Sequence, residues 1–247
     1  MCTLTWWNGP GRYDVFFNRD ELCSRGRAEP PLLQCLDGVR FLAPVDRPSG
    51  GTWLLANEAG VTLAILNLYE KELPEIPGAA FRSRGLLLRG LADCESLEEV
   101  AGRLGRNSVS LCNAFTLLGF DQGGPEGFRV WRWTHDRERL SGPELDPTMP
   151  ICSSSFAAEQ VIAARRRAFQ AIVPPDRTDP ERLLAFHHDD NRGQPSAETV
   201  LMRRTDARTL SISRVRVAPE RVCFEYEEVP EEGGTSGAFA SVELDRT

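Results

Sequence analysis

Short β-forming runs punctuated by turn clusters fill the first third of the chain, and this pattern rules out an all-helical fold. Residues 2–7 are rich in Thr and Trp, Asn8-Gly9-Pro10-Gly11 is a turn cluster, and residues 12–17 resume with β-formers. The two runs predict a hairpin beginning at the second residue. Residues 39–42, 52–55 and 61–66 are further strand candidates, the last two joined by a turn at Asn57-Glu58-Ala59-Gly60. Helical signals come next. Ser96 and Glu99 have the spacing of a capping box ahead of residues 100–104, with Gly105 as the stop. Residues 111–118 and 128–133 read as strands around a loop at Gln122-Gly123-Gly124-Pro125. A helix is expected over residues 156–173. Val161, Ile162, Ala168, Phe169 and Ile172 share its apolar face, and Arg165-Arg166-Arg167 fall on its solvated side. Pro174-Pro175 ends it, and Thr178, Pro180 and Glu181 open a shorter helix to about Phe186. Residues 187–196 are polar and irregular, while 199–202, 209–217 and 222–227 return to strand character. Strands, then helices, then strands predict one layered α+β domain over residues 1–247, with a polar, mobile segment around 230–237.

Composition narrows the function. The formal net charge of −7 argues against general nucleic-acid binding, which needs a basic face. Lys71 is the only lysine, so the cations are almost all arginine, which reads as genome composition. No run reaches the roughly 18 apolar residues of a membrane helix, and the N-terminus has no basic start followed by an apolar stretch. A cytoplasmic location is expected. The seven cysteines are scattered and never form C-x-x-C, so neither a disulfide framework nor a metal site is expected. Most are expected to be small buried residues.

Cys2 is different because of its position. Removal of Met1 would leave one residue carrying both a thiol and a free α-amine. The amine titrates at about 7.7–8.0 and the thiol at about 8.5, so the amine is a fitting base for the thiol proton. Asn18-Arg19-Asp20-Glu21 follows the apolar end of the second strand. It reads either as a solvated turn or as the end of a strand paired with the first, bringing Arg19 and Asp20 beside Cys2. There Arg19 would lower the thiol pKa and Asp20 would hold the α-ammonium. Asn67 ends an apolar strand and either begins a turn or donates its amide to a developing oxyanion. His187-His188-Asp189-Asp190 reads as a polar loop rather than a metal site, since no third spaced ligand accompanies it. His135-Asp136 reads as a turn, and the five tryptophans as core or sheet-face residues.

Met1-Cys2, Asn18-Arg19-Asp20-Glu21, Gly51-Thr52-Trp53-Leu54, Asn57, Gly60, Asn67, Ser83-Arg84-Gly85-Leu86-Leu87 and Arg204-Thr205-Asp206-Ala207-Arg208-Thr209-Leu210-Ser211 together resemble the NRDE family. It is also called the transport and Golgi organisation protein 2 family. The resemblance covers roughly residues 1–217. That family is similar in turn to the cysteine N-terminal nucleophile (Ntn) hydrolases, including bile-salt hydrolases and penicillin V acylases. The resemblance implies a four-layer αββα sandwich, with two mainly antiparallel sheets between helical layers. It implies a cofactor-free amidohydrolase or acyltransferase acting on a small amide-containing molecule, with Cys2 as nucleophile, Arg19 and Asp20 beside it and Asn67 in the oxyanion hole. Asn18 is a supporting residue. Where the hydrolases carry a second asparagine this chain has Cys152-Ser153-Ser154-Ser155, so Ser154 takes that place, and Arg203 or Arg204 stands for their late arginine. The alternative the family suggests is a carrier or trafficking protein for haem, lipid or acyl-CoA on the same scaffold, with Cys2 as a haem ligand.

Overall fold

The computed structural model describes residues 1–69, 82–106, 109–124, 127–231 and 237–247. Among them the N-terminal hairpin pairs β1 (Cys2–Gly9) with β2 (Arg12–Leu22), and the chain continues through β3 (Glu29–Leu36), β4 (Val39–Val45), β5 (Leu54–Asn57) and β6 (Thr62–Asn67). Two helices follow, α1 (Arg84–Arg89) and α2 (Leu97–Arg106), then β7 (Phe115–Gly124), β8 (Gly127–His135), β9 (Leu140–Leu145) and β10 (Ile151–Ser153). Helices α3 (Ala158–Ile172) and α4 (Pro180–His187) precede β11 (Ala207–Val217), β12 (Arg221–Glu228) and β13 (Phe239–Asp245).

These strands make two antiparallel sheets. The first has the order β10-β1-β2-β11-β12-β13, and the second is a meander from β3 to β9. Strand alternation sorts the side chains. Leu4, Trp6, Val15, Phe17, Val215 and Phe224 of the first sheet share one apolar cluster with Leu42, Leu54, Ala64, Leu118 and Phe120 of the second. Each such large side chain contributes roughly 1.5–3 kcal/mol on burial. A second cluster joins Phe41, Leu55, Leu63 and Leu117 to Leu87, Leu88, Leu97 and Val100 of the α1–α2 region. A third joins Phe16 to Val173, Leu183, Phe186 and Val200, with Phe169 and Ile172 of α3 against it. No helix among the described residues is long and apolar enough to cross a membrane.

The local expectations are met unevenly. Asp179 caps α4, its Oδ1 accepting from the Arg182 N–H at 2.8 Å. Ser96 Oγ accepts from the Glu99 N–H at 3.2 Å, as the capping pattern requires, but α2 passes through Gly105 to Arg106. Strand β2 runs five residues beyond the expected end, because β1 and β11 bond its backbone on both sides. Residues 199–202 form no strand; they cover Asn18 and Thr209 instead. Arg165 is fully buried rather than solvated. His187 belongs to the buried end of α4, not to a polar loop. Of the polar segment around 230–237, residues 232–236 lie outside the described residues.

Candidate active site

A row of register-paired residues crosses the first sheet at Cys2. Cys2 pairs with Ser153 on one side and Arg19 on the other, and Arg19 pairs with Ser211. Paired residues of an antiparallel sheet share a face. This row therefore faces the same way as Leu4 and Phe17, toward the second sheet. Across from it β6 ends at Asn67, and Cys2, Arg19 and Asn67 line one cavity of about 440 Å3.

The polar motif divides by the same alternation. Arg19 lies on the cavity side with Glu21, while Asn18 and Asp20 lie on the opposite side against α3 and α4. The Asp20 carboxylate accepts from Arg165 Nη2 at 2.9 Å and from Thr209 Oγ1 at 2.7 Å. Arg165 Nη1 also donates to Thr3 Oγ1 at 2.6 Å. Asn18 Nδ2 donates to the carbonyls of His187 and Val200 at 2.9 and 3.1 Å, and its Oδ1 lies 2.7 Å from His187 Nδ1. The Asp20 side chain therefore fastens α3 to the sheet and does not reach the Met1 α-amine. The Asp20 backbone does: its carbonyl accepts from the Met1 α-amine at 3.2 Å, and its N–H donates to the Met1 carbonyl at 3.1 Å. Two consecutive residues of one strand cannot both aim their side chains at Cys2.

Met1 is buried against Met202 and Ala207, with its Sδ accepting from Ser154 Oγ at 2.8 Å. Burial pushes the Cys2 thiol above its ordinary pKa, and the N-terminal ammonium pulls the other way. The Arg19 guanidinium, expected beside the thiol, is engaged by Asp46 and Trp53. Its Nη2 donates to Asp46 Oδ1 at 2.8 Å, and it sits 4.4 Å over the Trp53 ring. Asp46 also takes Arg25 Nη2 at 2.8 Å and Ser49 Oγ at 2.6 Å. Burial works against the Asp46 carboxylate, but the Arg25 and Ser49 bonds and the Arg25 and Arg19 charges hold its pKa below the ordinary value.

Asn67 donates from Nδ2 to Tyr69 Oη at 2.6 Å. Ser154, expected as the second oxyanion donor, turns instead to Met1 and to the carbonyl of Phe156. Ser153 is the serine in register with Cys2; its Oγ is buried without a hydrogen-bond partner, and it lines a smaller cavity that shares Asn67 with the Cys2 one. Neither late arginine lines the Cys2 cavity. Arg203 lines a separate small cavity, and Arg204 pairs with Asp206 at 2.9 Å and lies over the Phe156 ring. Among the described residues no cluster of three or more His, Cys, Asp or Glu could hold a metal ion.

The sequence pattern of the Transport and Golgi organisation 2 family matches residues 1–229. The chain belongs to that family. Its assigned stretches thus include the whole Cys2 row, from β1 through Ser153 to β11. No curated protein matches the chain. Among solved structures, a mutant of the conjugated bile acid hydrolase from Clostridium perfringens superposes with a TM-score of 0.50 at 12% identity, over 99% of this chain and 92% of that one. A second variant of that hydrolase gives 0.41 at 11% identity, over 95% and 85%. The first likeness shows a common fold.

Several site residues of this family member had no functional reading in the sequence. Asp46 stands in no motif and carries no signal. Trp53, Arg84 and Thr209 stand in the quoted motifs, but motif membership alone assigns no role. Gly51 and Gly85 now have a physical reason. A Cβ on Gly51 would lie 2.5 Å from the Gly85 carbonyl carbon, so the two segments can touch only as glycines. That contact, with the Thr52 N–H donating to the Gly85 carbonyl at 3.2 Å, sets Arg84 on the cavity wall.

Proposed function

We propose that the chain is a cysteine Ntn amidohydrolase or acyltransferase acting on a small amide-containing substrate, on an αββα arrangement with α3–α4 over one sheet and α1–α2 over the other. One observation carries the reading: Cys2, Arg19 and Asn67 come from three strands and both sheets, yet meet at one cavity.

Removal of Met1 turns the Cys2 nitrogen from a peptide amide into an amine. Its charge then sits on the same residue as the thiol and depresses the thiol pKa further than the Met1 ammonium does. The amine accepts the thiol proton, and Sγ attacks the substrate carbonyl carbon. The oxyanion takes the Asn67 amide, released from Tyr69, and the Ser153 hydroxyl. Collapse breaks the C–N bond, and the leaving amine takes the proton carried by the α-ammonium. Water then attacks the thioester carbonyl, the C–S bond breaks, and a proton returns to sulfur. An amine acceptor in place of water gives transfer rather than hydrolysis. Arg19 and Asp46 hold the wall beside the nucleophile.

The test is intact-protein mass spectrometry before and after a thiol-directed acylating probe. A mass lacking Met1, one probe mapped to Cys2, and no label on a folded Cys2→Ala protein are expected. A retained Met1, or an unlabelled Cys2, overturns the hydrolase. A Soret shift on haem titration that disappears in Cys2→Ala would then favour the carrier.

A further inference from the structure

The Cys2 cavity is basic although the chain is acidic overall. Arg19, Arg25, Arg82 and Arg84 line it against Glu21 and Asp46, since the Asp20 carboxylate is turned to the far face. Both cavity carboxylates are engaged. Asp46 binds Arg19, Arg25 and Ser49, and Glu21 lies 3.6 Å from Arg25. Arg84 has no such partner. Its Nη1 donates to the carbonyl of Ala114 at 3.0 Å, and no carboxylate pairs with it among the described residues. Burial pulls its pKa below the ordinary arginine value, with Tyr69, Cys2, Cys112 and Glu21 acting the other way, and the residue is half-buried on the cavity wall. Cys2 lines the same cavity. A second guanidinium of the same cavity has an unused donor: Arg19 Nη1 is buried without a partner.

A guanidinium on a cavity wall is a strong binder of a planar carboxylate or a phosphate, because five N–H donors sit in a fixed fork. Arg84 is also preorganised. The Gly51–Gly85 contact leaves its backbone little room to move, and the bond to Ala114 fixes one edge of the fork, leaving the other edge for a ligand.

We propose that Arg84 is the substrate-recognition residue of this cavity and binds a compact anionic group, carboxylate or phosphate, on the molecule whose amide Cys2 attacks. The proposal rests on the amidohydrolase reading for the word substrate, but the anion site stands without it.

Calorimetric titration of the full chain with hexanoate, hexyl phosphate and hexanol tests it. At least one anion is expected to bind where hexanol does not, and the tighter of the two assigns the group. Arg84→Gln should weaken that anion about tenfold or more with an unchanged circular dichroism spectrum. Wild-type protein treated with an arginine-directed dicarbonyl supplies a readout independent of folding: hexanoate or hexyl phosphate should protect Arg84, mapped by peptide mass, and hexanol should not. Equal binding of hexanol, binding of neither anion, unchanged affinity in Arg84→Gln, or an unprotected Arg84 would overturn the proposal. Anion binding by a protein that retains Met1 or leaves Cys2 unlabelled would sink the hydrolase reading and leave the site.

Discussion

Ser153 and Ser154 are neighbours in the chain, but strand alternation sends them to different work. Ser154 Oγ is held by the carbonyl and N–H of Phe156, bonds that outlast the removal of Met1, so its loss costs bonds without touching Cys2. Ser153 Oγ is buried with no partner, a state that costs about 1–3 kcal/mol. Its register with Cys2 puts this hydroxyl on the nucleophile's face of the sheet. Ser153→Ala should therefore lower kcat/KM on an amide substrate about a hundredfold, the scale of one oxyanion donor, with no fall in melting temperature. A melting temperature that drops while kcat/KM holds would make Ser153 a structural residue. The sequence carried the serine cluster, but not which serine faces the nucleophile. That choice depends on the β1–β10 register, which no local pattern encodes.

At the scale of elements, Asp20 and Arg165 join β2 to α3. Both side chains are fully buried, so each neutralises a charge that water cannot reach. Breaking such a pair costs far more than its net worth, because the survivor stays buried and charged. Asp20→Ala should lose about 3–5 kcal/mol by denaturant unfolding, whereas Asp20→Leu combined with Arg165→Met should recover much of that loss. A single-mutant loss under about 1 kcal/mol would mean water reaches the pair. Arg165 was legible after all: it stands four residues after Val161 and four before Phe169, on the apolar face of the same helix. Reading three arginines as one solvated run hid that spacing. The motif at residues 18–21 shows the converse. Its residues stood out in the sequence, but only a strand splits them into Arg19 and Glu21 toward the cavity and Asn18 and Asp20 toward the helices.

At the scale of the whole molecule, turn-bounded strands made the α+β class readable, and the sheet edges escaped. Strand β3 carries Pro30 and Pro31, which demote a strand on paper and are tolerated only at an edge. Strand β13 follows a polar tail and borders the other sheet. His187 binds the helical side to the first sheet, lying 2.8 Å from Thr5 Oγ1 and 2.7 Å from Asn18 Oδ1 and stacked on Phe16. Burial first, then the charges of His188 and Arg165, depress its pKa to about 3. The unfolded chain takes up this proton near pH 6.5 and the folded one does not, so stability falls as pH drops from about 6.5 toward 3. His188, raised by its bond to Glu227, acts in the opposite sense: its contribution is complete below about pH 6.5 and fades as pH rises through its folded value. Unfolding free energy measured between pH 6.5 and 5.5, above the window of Asp46 and Glu227, should fall by up to about 1.4 kcal/mol per pH unit. In His187→Gln the curve should flatten over that range even if the protein is less stable throughout. An unchanged slope would show that His187 is protonated in the folded chain, and that Asn18 and Thr5 hold an imidazolium instead.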